Sequence, residues 1–134
     1  MTHLTLDADG PRSAAYTRQV AAGLAECMHV LAHHTTSDGP TALPDLDDVR
    51  AVIEALHTAA SLSDQLIDQL EARLAVMAGS GRVADMIGRD PATVLTRIVT
   101  RLGGIRLSGR SHARRLSTVH ADMLALYLSD GEPS

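Results

Sequence analysis

A chain of 134 residues with 45% apolar side chains is long enough for one domain and too apolar to stay disordered. It has no Phe or Trp and only two Tyr, its twelve cations are all Arg, and its net charge is −4. The single cysteine excludes a disulfide framework or a Cys-based zinc site, and no apolar run approaches the roughly 20 residues of a membrane span.

Alanine, with twenty copies, and leucine, with eighteen, dominate the apolar set, and both are strong helix formers. The Arg-only, Ala-rich usage matches the codon bias of a GC-rich bacterial genome and says nothing of mechanism. No basic segment followed by an apolar stretch marks a secretory leader, so a soluble cytoplasmic protein is expected.

Residues 1–10 read as a loose arm ending at Gly10-Pro11. A first helix is expected from about Pro11 to His34, because Val20, Leu24, Cys27 and Leu31 recur at helical spacing. Thr35 to Pro40 has the composition of a loop. A long central helix follows over about 45–78, with Asp45 as its N-cap and Asp47 and Asp48 in the first turn, where the helix dipole favours anions. Leu46, Val49, Ile53, Leu56, Ala60, Ser63, Ile67, Leu70, Leu74 and Met77 alternate steps of three and four, an unbroken heptad seam. Gly79 is a natural stop. A rod of this length, roughly 50 Å, needs a partner along all of it. Leu46, Val49, Ile53, Leu56, Ile67, Leu70 and Leu74 are the expected dimer seam. Residues 11–78 thus read as a long helical hairpin.

The segment 82–129 reads as basic and helical. A short helix is expected from Arg82 to Ile87, ended by Gly88. Asp90 then caps a helix with Pro91 at its first position, with Val94, Ile98, Leu102 and Ile105 as its apolar face and Gly103-Gly104 as its end. A last helix is expected from about Ser111 to Leu128, with Leu116, Val119, Met123 and Leu126 on one face. The expected fold is therefore a single all-α domain, a four- to five-helix bundle built on one long central helix and assembled as a dimer.

Charge is strongly polarised along the chain. Residues 1–72 hold eleven acids and three Arg, and residues 73–115 hold nine Arg and two acids. A basic block of this density suits phosphate, or else packs near the acidic central helix. Ala84, Gly88 and Val94 carry the small, glycine and aliphatic spacing of a helix-turn-helix. Over 82–102 the pattern resembles that DNA-binding unit, although Arg89 follows the turn glycine where an apolar residue is common. The resemblance implies a nucleic-acid surface of Arg89, Thr93, Thr96, Arg97, Thr100 and Arg101, extended by Arg106 and Arg110.

Glu26-x-x-His29 and Glu54-x-x-His57 lie on the first two helices. The pair resembles half of the carboxylate site of ferritin-like di-metal proteins, which implies Glu26, His29, Glu54 and His57 as metal ligands. The ordinary alternative is a solvated polar face. Cys27 falls on an apolar stripe and reads as a small core residue, and Gly79-Ser80-Gly81 lacks the lysine of a phosphate loop. No cofactor is expected. The function expected first is a non-enzymatic helical interaction or oligomerisation module, with a second copy of itself as partner. A small DNA-binding regulator is the alternative and a metal-binding bundle the remote one. DNA or an acidic protein is the other partner considered, and no membrane is expected.

Overall fold

The computed structural model describes residues 5–10, 12–36 and 45–126. They form three α-helices, α1 (Ala14–His34), α2 (Leu46–Gly79) and α3 (Pro91–Met123), and no strand occurs among the described residues. Backbone contacts group the chain into two units, Met1–Pro44 and Asp45–Ser134. Most of the loop expected at Thr35 to Pro40, and the end of the last helix expected at Leu128, lie outside the described residues.

In the first unit, Ser13 caps α1 by accepting the Tyr16 N–H at 3.1 Å. Residues 5–10, expected as a loose arm, are tied to the helix by the same tyrosine. The Tyr16 hydroxyl donates to the Thr5 carbonyl at 2.8 Å and accepts the Asp7 N–H at 3.0 Å. No residue of α1 is buried, and Leu24, Cys27, Met28 and Leu31 are exposed. Cys27 is thus a surface thiol and not the core residue expected, because the described remainder of this unit reaches only the Tyr16 end of the helix.

The second unit is an antiparallel pair of α2 and α3. Local chemistry fixes both starts. The Asp45 carboxylate accepts the N–H groups of Asp47 and Asp48 while Asp48 accepts the Asp45 N–H, a complete capping box. Asp90 accepts the N–H and hydroxyl of Thr93, and Pro91 fills the first helical position, where a missing N–H is harmless.

The expected count of four to five helices is corrected to three. Arg82 to Ile87 is not helical. Six residues cannot offset the entropy of helix nucleation unless they are packed, and Met86 and Ile87 are exposed. Asp85 instead ties the loop by accepting the Arg89 N–H at 2.8 Å and its guanidinium at 3.0 Å. Gly81 and Gly88 take positive φ, 69° and 79°, and make the two bends of the connection. The two helices expected after Asp90 are one. α3 runs through Gly103, Gly104 and Gly109, each costing about 1 kcal/mol relative to Ala, which packing against α2 outweighs.

The heptad seam of α2 faces α3. Leu46, Val49, Ile53, Leu56, Ala60, Ser63, Ile67 and Leu74 are half-buried, while Leu70 and Met77 are exposed. The matching stripe of α3 is Leu95, Val99, Leu102, Arg106, Gly109, Ala113, Leu116, His120 and Met123. The expected stripe is corrected in part: Val94, Leu102, Leu116 and Met123 are half-buried, but Ile98, Ile105, Val119 and Leu126 lie exposed. Its run ends chemically after Ile105, at Ser108, His112 and Arg115, whereas the stripe from Leu95 runs the length of the helix with one charge. Leu95, 7% exposed, is the one buried apolar residue among those described, and none of them is fully buried.

Candidate interaction surface

The two flanks of the α2–α3 pair differ in chemistry. One is ionic. Arg106 sits in the α3 stripe with its side chain 21% exposed, and it reaches Asp64, Asp68 and Glu71 at 3.2 Å each. Arg110, one turn on, holds both Asp64 oxygens at 3.0 and 3.3 Å. The Arg110 hydrogen bond, joined by that of Arg106, keeps the Asp64 carboxyl below the usual carboxylate range against the opposing effect of desolvation. Partial desolvation works against the Arg106 cation, and Asp64, Asp68 and Glu71 outweigh it, so its pKa stands raised. Each of the three acids follows the last by about one turn of α2, and they make a single cradle for one guanidinium.

At the open end of the hairpin Arg50 donates to the carbonyls of Met123 at 2.8 Å and Leu126 at 3.0 Å and also pairs with Asp47. This places a cation at the C-terminus of α3, where the helix dipole favours it. Arg50 was not among the expected site residues. Its partners are main-chain atoms 73 and 76 residues away, which no local spacing reveals.

These bonds account for most of the expected nucleic-acid residues. Arg89, Arg106 and Arg110 are paired with acids of the same chain. Thr93 donates to its cap, and Thr96 and Thr100 donate to carbonyls of their own helix. Arg97 and Arg101 are exposed and make no ion pair with the described residues. Of the expected metal ligands, Glu26 and His29 are exposed on α1, Glu54 is exposed on α2, and His57 is half-buried there. Among the described residues no group of three or more His, Cys, Asp or Glu is placed to hold a metal ion.

The opposite flank is apolar at its centre, with Arg73 and His112 standing seven residues beyond Leu66 and Ile105. Two residues beyond Asp64 is about 200° round the helix, so Leu66 lies across the seam from the ionic flank, and Ile105 stands in the same relation to Arg110. This face carries Leu62 at 58% exposure, Leu66 at 49%, Leu70 at 48% and Ile105 at 54%, with Ile98 and Val119 toward its ends. A shallow, open surface groove lined by Ala51, Glu54, Ala55, Thr58, Ala59 and Leu62 adjoins it on the outer side of α2. No helix of the described residues is long and apolar enough to cross a membrane, so lipid does not explain the face through a spanning helix.

Comparison with protein-family models, curated protein sequences and solved structures finds no match to this chain.

Proposed function

We propose that this chain is a helical self-assembly and protein-interaction module, working through surfaces and not through a reaction centre. The observation that carries the reading is the incomplete core of the α2–α3 pair. Two helices of 34 and 33 residues have Leu95 as their one buried side chain and leave Leu62, Leu66, Leu70, Val76 and Ile105 about half or more exposed. Contiguous exposed apolar surface of this kind marks an interaction site in proteins that stay monodisperse. Light scattering on the full chain at micromolar concentration tests the reading. A mass at least twice that of one chain is expected, and a strict monomer overturns self-assembly.

DNA binding is the second reading. It draws on Arg97, Arg101, Arg114 and Arg115, which are exposed on α3 and make no ion pair with the described residues. A mobility-shift titration at low salt decides it. Binding that weakens on changing Arg97 and Arg101 to Ala supports it, and no shift at low salt ends it.

A further inference from the structure

We propose that the flank carrying Leu66, Leu70, Ile98 and Ile105 is the docking surface for a second copy of this chain, and that two hairpins meet there head to tail as a four-helix bundle. The proposal rests on the self-assembly reading and names its surface, partner and direction.

The face is large enough for a stable interface. α2 and α3 are each about 50 Å long at about 1.5 Å per residue. Two packed helices present a face about 18 Å wide. The face is thus on the order of 900 Å², close to the roughly 800 Å² per partner of a stable interface. The exposed side chains Leu62, Leu66, Leu70, Ile98, Ile105 and Val119 run along most of its length. The ionic flank differs in kind, because its Asp64, Glu71, Arg106 and Arg110 are already paired with one another within the hairpin.

Charge sets the direction. The loop end of the hairpin, residues 71–101, carries five Arg against three acids. The open end, residues 45–60 with 112–126, carries five acids against three Arg. Between them Asp64 and Asp68 balance Arg106 and Arg110. Each hairpin is therefore positive at one end and negative at the other. A head-to-tail twofold lays the end with Arg73 and Arg101 beside the partner's acidic end, whereas a head-to-head twofold stacks like charges. The face also separates the occupant from an acidic peptide, since its centre holds Leu66 and Ile105 and no cation.

The twofold axis passes near Leu66, midway along the hairpin, with Ile98 and Val119 on opposite sides of it. This gives a test independent of folding. In a Cys27→Ser background, Leu66→Cys should couple to itself through a bismaleimide of about 10 Å, and Ile98→Cys should not, since two copies of that residue stand about 30 Å apart along the axis. Mixing Ile98→Cys chains with Val119→Cys chains should give the heterodimer. Self-coupling at Ile98→Cys overturns the head-to-tail arrangement. In sedimentation velocity, Leu66→Glu combined with Ile105→Glu should weaken association about 100-fold or more, while Leu107→Glu, on the outer face of α3, should leave it unchanged. Wild-type association in the double variant, with helix content intact by circular dichroism, overturns this surface and leaves self-assembly standing. A monomeric wild-type chain overturns both.

Discussion

Replacing Leu66 by Ala measures how much of the apolar flank is used between chains. The change removes about three methyl or methylene groups, each worth about 0.8 kcal/mol when fully buried, or about 2.4 kcal/mol in total. Leu66 is 49% exposed in the single chain, so about half of that burial is already made within the hairpin. The remainder, about 1.2 kcal/mol per copy, belongs to association. A twofold interface uses the residue twice, which gives about 2.4 kcal/mol per dimer and a Kd about 50-fold weaker. Sedimentation equilibrium on the wild type, Leu66→Ala and Leu107→Ala reads this directly. Leu107 is 66% exposed on the outer face, and its truncation should shift Kd by less than about threefold. Equal dissociation constants for Leu66→Ala and wild type would refute the reasoning, because they would place the side chain in solvent in both states.

Three other outcomes follow from the hairpin itself. Leu95→Ala should cost about 2–3 kcal/mol in urea unfolding, near the low end for a core leucine, because the groove beside it is open to solvent and no sealed cavity forms. A loss under about 0.5 kcal/mol would show that this contact does not anchor the loop end. Arg50→Ala should cost about 1–2 kcal/mol and raise hydrogen exchange in the last turn of α3, because the carbonyls of Met123 and Leu126 lose their donor; unchanged exchange there would contradict the capping role. Asp85 should titrate near 2, held down first by the side-chain hydrogen bond of Arg89 and then by its N–H. Its folded pKa lies below the ordinary value of about 3.9, so its contribution is present above pH about 4 and lost as pH falls through about 2. Carbon NMR should show that midpoint moving up toward the ordinary value in Arg89→Ala, and a midpoint unmoved by the substitution would contradict the pairing.

Local chemistry made the starts of both long helices legible. The capping box at Asp45 and Asp48 and the Asp90-Pro91 pair act within one turn, so their spacing alone locates Leu46 and Pro91. The seam of α2 was also legible, because one continuous stripe leaves few choices of face. What it faces was not, since α3 supplies the partner stripe within the same chain. Gly103-Gly104 read as a stop because propensity is local, and the packing that carries α3 through them is not. Hydrophobicity also pointed to Ile98 and Ile105 as the inner face. The outcome turned on Arg106, which enters the seam because Asp64, Asp68 and Glu71 stand along one side of α2 to receive it. The acidic half of the sequence and its basic half are thus partly joined in one ionic flank, which is why Arg106 and Arg110 read as a nucleic-acid surface in sequence and as a hairpin clasp in structure. Arg97 and Arg101 keep the charge that the sequence assigned to a phosphate surface.

The central claim is that the hairpin completes its core with a second copy of the chain, so folding and association must be linked. Thermal unfolding of the full chain at about 5 and about 500 µM measures that link, because binding to the folded state alone makes Tm depend on concentration. The account predicts a Tm that rises by several degrees across that range, with the rise abolished by Leu66→Glu and Ile105→Glu together. A Tm independent of concentration, reached by a chain that sediments as a monomer, would contradict it.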